Sequence, residues 1–227
     1  MTAKEAARLI DISAVRTQHN AQDIEVLAKL AERYHFINVH VLPCWVSMLA
    51  ERIRHLSDVY VGAPVGFPSG GHTTKTKLAE AEQLIADGVD EMDIVMNVGR
   101  FRNGEYAAVL DELKAIISLA EGRIRMTKVI IEINTLTDDE MLRACELVME
   151  SGAAFIKTGT GWVPGGPNNE RIRKMKEICG DRIMIKAAGG IRTLEDFRTL
   201  ADMGVERMGI NTTSAVEIVE AIERCGY

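Results

Sequence analysis

A single (β/α)8 barrel is the fold the sequence predicts, and three observations predict it. Short β-branched runs alternate with longer amphipathic segments along the 227 residues, and eight β-then-α units can be counted. The runs Val129-Ile130-Ile131-Glu132-Ile133 and Met184-Ile185-Lys186-Ala187 are apolar on both faces, as buried parallel strands are. No linker or low-complexity stretch divides the chain, so residues 1–227 read as one barrel domain. The competing doubly wound sheet requires a glycine-rich turn after its first strand. Ile12-Ser13-Ala14-Val15-Arg16, which follows Asp11, contains no glycine.

Each element has its own signal. The opening Met1-Thr2-Ala3-Lys4-Glu5-Ala6-Ala7 is helical and charged. Strands are expected at Arg8–Ile12, Phe36–Leu42, Val59–Pro64, Glu91–Asn97, Thr127–Ile133, Ala154–Thr158, Arg182–Ala187 and Arg207–Asn211. Helices are expected at Ala21–Tyr34, Trp45–Leu56, Thr74–Asp87, Tyr106–Ala120, Asp138–Ser151, Asn169–Ile178, Leu194–Met203 and Ser214–Arg224. Asp87-Gly88, Ser151-Gly152 and Met203-Gly204 read as helix stops, and Thr137 with Glu140 forms a capping box. The Gly/Pro-rich patches at 62–71 and 161–167 read as loops of the active face.

Composition excludes several classes. With 47% hydrophobic and 26% charged residues the chain can bury a full core. Net charge is −6, so there is no nucleic-acid footprint. Cys44, Cys145, Cys179 and Cys225 lie far apart without zinc-ligand spacing, and neither a metal nor disulfides are expected. No secretory h-region and no membrane-length apolar run is present, which points to a soluble, cytoplasmic protein with no membrane partner.

In a barrel the site lies at the C-terminal ends of the strands. The polar candidates there are Asp11, His40, Asp93, Asn97, Lys128, Glu132, Lys157, Lys186 and Asn211. Lys157 and Lys186 stand in apolar runs on adjacent strands, each followed by a glycine turn. A buried ammonium costs several kcal/mol unless its pKa falls or a partner compensates it. Each lysine alone reads as part of a structural ion pair. Together they favour function: two amines at one pocket depress each other's pKa, and a neutral amine is a nucleophile. Asp93, mid-strand among apolar neighbours, reads as a proton shuttle and as a counter-ion to a strand lysine such as Lys128, two compatible roles, and Asp11 can orient Lys186. Lys128 and Glu132 share one face of a strand and read as an internal ion-pair layer. His40, near Cys44, reads as a packed histidine, because no second histidine lies at ligand spacing. Lys75 and Lys77 read as a solvated face that can attract an anionic substrate. The turns Gly189-Gly190 and Gly209-Ile210-Asn211-Thr212 can hold a phosphate on their backbone N–H groups, or can simply be tight turns.

These motifs resemble deoxyribose-phosphate aldolase. The similarity is carried by Leu9-Ile-Asp-Ile12, Gly66-Phe-Pro-Ser-Gly70, Thr73-Thr-Lys-Thr-Lys77, Asp90-Glu-Met-Asp-Ile-Val-Met-Asn97, Lys128-Val-Ile-Ile-Glu132, Ala154-Phe-Ile-Lys-Thr-Gly-Thr-Gly161 and Ile185-Lys-Ala-Ala-Gly-Gly-Ile-Arg192. It runs in order from Leu9 to Ser214. The resemblance implies a class I aldolase that needs no cofactor and reversibly cleaves 2-deoxyribose 5-phosphate to acetaldehyde and glyceraldehyde 3-phosphate. It implies Lys157 as the Schiff-base lysine, Lys186 as the charge that keeps it neutral, Asp93 in the proton relay and Asp11 as the partner of Lys186. Gly161, Gly189, Gly190, Gly209, Asn211 and Thr212 would surround the phosphate. Partners are then small aldehydes and sugar phosphates, with a homodimer plausible.

Three departures stand out. Trp162 occupies a position where the family carries a lysine, the eighth turn lacks the family's Ser-Ser pair, and His40 replaces a cysteine. All three are expected on the distal, phosphate-holding side, which leaves the acceptor aldehyde open. Tyr227, the last residue, sits on a tail too short to fold over the site. Two other readings compete: an imine-free phosphate-binding isomerase or synthase, and a non-catalytic barrel that binds an anionic sugar.

Overall fold

The computed structural model describes residues 1–227. Eight parallel strands pair in sequence order and close on themselves: β1 (Ile10–Ala14), β2 (Asn38–Val41), β3 (Tyr60–Val65), β4 (Glu91–Val95), β5 (Met126–Ile130), β6 (Phe155–Lys157), β7 (Met184–Ala188) and β8 (Arg207–Asn211). The main helices are α2 (Ala21–Tyr34), α3 (Val46–Ile53), α4 (Thr74–Ala86), α6 (Tyr106–Ala120), α7 (Asp138–Ser151), α8 (Asn169–Cys179), α9 (Leu194–Asp202) and α10 (Thr212–Cys225), with short α1 (Ala3–Ala7) and α5 (Val98–Arg102). The expected (β/α)8 barrel is therefore the fold.

Local chemistry explains where the elements start and stop. Thr2, Asn20, Thr137 and Thr193 each close a capping box at the head of a helix. α7 ends at Gly152, whose left-handed φ of 85° releases the chain toward β6. α2 buries Ile24, Leu27, Ala28 and Ala31, one helical stripe against the barrel. Truncating Leu27 to alanine there costs about 2–5 kcal/mol.

The sequence places most helices to within a residue or two and misjudges several strands. β1 begins at Ile10 rather than Arg8, because Arg8 still caps α1. β4 stops at Val95, because Asn97 leaves the sheet to cap α5 by accepting the Arg100 N–H. β5 stops at Ile130, and Glu132 turns into the left-handed region at φ 53°. This corrects the expected Lys128–Glu132 layer: Glu132 instead accepts the backbone N–H and hydroxyl of Thr160, at 3.1 and 2.5 Å. Lys77 is a second correction. It is fully buried, donating to Glu112 at 2.5 Å and to the Val95 carbonyl at 2.8 Å, whereas Lys75 alone is exposed.

Candidate active site

Strand register assembles the site. Lys157 of β6 lies directly across from Lys186 of β7, Lys186 from Arg207 of β8, and Asp93 of β4 from Lys128 of β5. Side chains at alternate positions of a strand share a face. Glu91 and Asp93, and likewise Asn38 and His40, therefore enter the barrel one above the other. The result is a polar interior layer in which Asp11, Asp93, Glu91, Lys128, Lys157, Lys186 and Arg207 are all buried.

Asp93 is the hub. Its Oδ2 accepts from Lys157 and from Lys186, both at 2.8 Å, and its Oδ1 lies 3.2 Å from Lys128. Lys186 also reaches Asp11 at 2.5 Å, and Asp11 in turn accepts from Arg207 at 2.7 Å. Glu91 completes the set by pairing with Lys128 at 2.7 Å and Arg207 at 3.1 Å. Buried ions of one sign are sustained only by such partners.

The lysines are not equivalent. Burial comes first in lowering the Lys157 pKa to about 8, Asp93 opposes it, and the Lys186 ammonium lowers it further. Burial would likewise lower Lys128, but Asp93, Glu91 and Asp11 outweigh it and hold that amine above its ordinary value. Burial alone would raise Asp93; Lys128, Lys157 and Lys186 overcome it and keep the carboxyl well below the usual range. Asp11 is lowered in the same way, with Lys186 and Arg207 overcoming burial. Lys186 thus adds to the lowering of the Lys157 pKa, and desolvation leads.

A cavity of about 240 Å³ opens above this layer. Lys157, Lys186, Asp11, Gly161, Gly189, Gly190, Gly209, Asn211 and Thr212 all line it, so nine of the anticipated positions converge, with Asp93 beneath them. A larger cleft of about 680 Å³ lies between α3 and the N-terminal end of β3, away from this chemistry. Gly190 is required where it stands: at φ 80°, an added Cβ would lie 2.6 Å from Gly166 Cα. Asn211 caps α10 by accepting the Ser214 N–H and donating to the Ser214 hydroxyl, and Thr212 donates to the Ser13 carbonyl. The first N–H groups of a helix lack intrahelical acceptors, and those of α10 open at this pocket, a setting for an anion.

The pocket also holds residues that sequence reasoning passed over. Arg16, His19 and Arg192 supply cations or potential cations at its rim. Arg16 donates to the Gly161 carbonyl at 2.6 Å and lies over the Trp162 ring at 5.4 Å. Trp162 itself donates to the Val15 carbonyl and packs edge-on against Phe67. Arg16 and Arg192 carried one available signal, their positions just after strand ends. His40 corrects an expectation. It does not lie on the phosphate side but deep in the pocket, with Nε2 3.8 Å from Asp93. Tyr227 donates to Asp202 at the far end of α9 and stays clear of the site. No cluster of three or more His, Cys, Asp and Glu side chains is arranged to hold a metal ion.

A closed parallel barrel whose strand ends gather two lysines on one buried carboxylate defines an enzyme of the aldolase class, a carbon–carbon lyase. The family model for "DeoC/LacD family aldolase" matches residues 6–212. The chain belongs to that family. It is 40% identical over 225 residues to a deoxyribose-phosphate aldolase of Klebsiella pneumoniae subsp. pneumoniae, covering 98% of this chain and 90% of that one. A deoxyribose-phosphate aldolase of Rhizobium meliloti is 43% identical over 219 residues, covering 96% and 88%. A solved structure, the tetrameric deoxyribose phosphate aldolase of Aeropyrum pernix, superposes with a TM-score of 0.89 at 25% identity, covering 98% of this chain and 92% of that one.

Proposed function

We propose that this chain reversibly cleaves 2-deoxyribose 5-phosphate to acetaldehyde and glyceraldehyde 3-phosphate through a Schiff base on Lys157. The observation that carries this reading is the shared Asp93 oxygen, 2.8 Å from both Lys157 and Lys186. It leaves one amine desolvated, with its pKa lowered to about 8, beside a second amine paired with Asp11 at 2.5 Å.

The neutral Lys157 amine attacks C1 of the open-chain sugar and forms a carbinolamine. Asp93, within hydrogen-bond reach of the reacting nitrogen, serves the proton transfers that expel water and give the iminium, with an ordered water as intermediary. The iminium accepts the electron pair of the breaking C2–C3 bond as C3 becomes a carbonyl. Glyceraldehyde 3-phosphate leaves, and the remaining enamine is protonated at C2 and hydrolysed to acetaldehyde. Asp11 and Arg207 hold Lys186 in place. The turns at Gly161, Gly189–Gly190 and Gly209–Thr212 receive the phosphate, and Arg16 and Arg192 add positive charge at the rim.

A related Schiff-base aldolase of another sugar is the second reading, favoured by one observation: an aromatic ring, Trp162, stands at the rim. Cytoplasmic location and a homodimer belong to the same proposal; no helix is long and apolar enough to cross a membrane.

Borohydride reduction in the presence of acetaldehyde or deoxyribose 5-phosphate, followed by mass spectrometry, tests the imine. A reduced adduct on Lys157 is expected. Its absence from every lysine removes the Schiff-base reading and leaves an imine-free isomerase or synthase, or a sugar-binding barrel.

A further inference from the structure

Two sequence motifs have no part in the chemistry above, and they meet at the mouth of the barrel. Gly66-Phe67-Pro68-Ser69-Gly70 follows β3 directly, and Thr73–Lys77 opens α4. The first closes as a turn in which the Gly70 N–H donates to the Gly66 carbonyl at 2.8 Å. Phe67 leaves this turn for the pocket. It is the one large apolar side chain in a lining that includes Lys157, and its ring meets Trp162 edge-on at 5.7 Å.

Helix α4 grips the turn. Gly66 is the first residue past β3, so its N–H needs an acceptor outside the sheet. The Glu80 carboxylate, on the second turn of α4, supplies one at 2.6 Å, a charge-assisted bond. The buried stem of Lys77 runs against Gly66: at φ 71°, an added Cβ there would lie 2.7 Å from Lys77 Cε. Lys77 is itself pinned, to Glu112 and to the Val95 carbonyl that ends β4. At the other end of the turn, an added Cβ on Gly70 would run into the Met96 carbonyl. The turn is thus fixed both to α4 and to the end of β4, the strand that carries Asp93.

We propose that Glu80 is a positioning residue for the cleavage reaction. By holding the Gly66 N–H it sets the turn so that Phe67 forms the apolar wall against which the sugar carbons lie beside Lys157. Glu80 touches no substrate and acts only through Phe67. The need for such a wall is stereoelectronic. The electron pair of the C2–C3 bond enters the C1–N π system only when that bond stands parallel to the π orbitals. An open-chain sugar turns freely about C1–C2, and a fixed ring on one side of the chain removes most of those rotamers before the bond breaks. This role rests on the Lys157 imine proposed above; the placement of Phe67 does not.

Two measurements on Glu80→Ala, Glu80→Gln, Phe67→Ala and the Glu80→Ala/Phe67→Ala double variant test it. One is kcat/KM for 2-deoxyribose 5-phosphate, with borohydride trapping of acetaldehyde to report the imine. The other is acrylamide quenching of Trp162 fluorescence, made on a Trp45→Phe background because the chain has two tryptophans. In Glu80→Ala, trapping on Lys157 should persist, kcat/KM should fall about 10- to 100-fold, and Trp162 should be quenched more strongly as Phe67 leaves it. Glu80→Gln, which keeps an acceptor oxygen, should restore both. The double variant should lose no more activity than Phe67→Ala alone, because Glu80 acts through that ring. Losses that multiply in the double variant would overturn the proposal. So would quenching unchanged in Glu80→Ala, or Glu80→Gln as impaired as Glu80→Ala. If the unmodified protein forms no adduct, the Lys157 reading falls and the catalytic role of Glu80 falls with it, while quenching still decides whether Glu80 places Phe67.

Discussion

Lys157 and Lys186 face each other across β6 and β7, and both ammonium nitrogens reach one oxygen of Asp93 at 2.8 Å. In this layer three carboxylates, Asp11, Glu91 and Asp93, meet four basic side chains, Lys128, Lys157, Lys186 and Arg207. Charge balances when one of the four is neutral. Lys157 is the one whose pKa falls to about 8, whereas Lys128 and Arg207 are held above their ordinary values by the carboxylates around them. The layer as a whole thus sets Lys157 apart from the other basic side chains.

The pH dependence of kcat/KM should show it. Lys157 attacks only as the free base, so the rate climbs with pH up to about 8 and levels off above it. An unperturbed lysine would still be climbing near pH 10, since its ordinary value is about 10.4. A profile of that second kind would remove the role assigned to burial.

Replacing Lys186 with methionine should move the same limb to higher pH. The substitution removes a neighbouring positive charge and leaves Asp93 free to favour protonated Lys157. It also strands Asp11, whose contact with Lys186 is 2.5 Å. Losing one partner of a buried pair costs about 3–5 kcal/mol, so denaturant unfolding should show a marked fall in stability. A limb that stays near pH 8 would show that desolvation alone sets the pKa of Lys157.

The barrel was legible because buried parallel strands and capped helices leave period and punctuation in the sequence. The lysine pair was legible for a related reason: Lys157 and Lys186 interrupt apolar runs, and any such residue must find a partner. What escaped the sequence depends on where the chain leaves the sheet. Glu132 looks like the next inward residue of β5, but the strand ends at Ile130 and a left-handed turn sends the carboxylate to Thr160. His40 was misplaced because its depth is set by pairing with Gly62, a contact between strands that no local pattern encodes.

Lys77 gives a stability test of the same lesson. Helical periodicity does not distinguish it from its exposed neighbour Lys75, yet it is fully buried against Glu112 on α6. Lys77→Met should cost about 3–5 kcal/mol by isolating the Glu112 carboxylate. Adding Glu112→Gln should recover part of that loss, because the remaining buried group is then uncharged. Thermal or denaturant unfolding of the single and double variants measures the coupling. Strictly additive losses would contradict a buried pair.

Trp162 offers the sharpest test of substrate choice. Its ring lies 5.7 Å from Phe67 and beneath the Arg16 guanidinium at 5.4 Å, and its indole N–H donates to Val15 at 3.2 Å, so it ties three loops together at the rim. Trp162→Lys would place an ammonium next to Gly161, which lines the pocket where the sugar phosphate is proposed to sit. A charge-assisted hydrogen bond is worth about 1.5–3 kcal/mol, or roughly 10- to 100-fold in binding. Against this stands the loss of the aromatic pair, about 0.5–1.5 kcal/mol, which would appear as lower thermal stability. The kcat/KM ratio for 2-deoxyribose 5-phosphate over free 2-deoxyribose should therefore rise about tenfold or more in the variant. If both substrates change by the same factor, position 162 does not contact the phosphate, and Arg16 and Arg192 already supply the charge that end of the pocket uses.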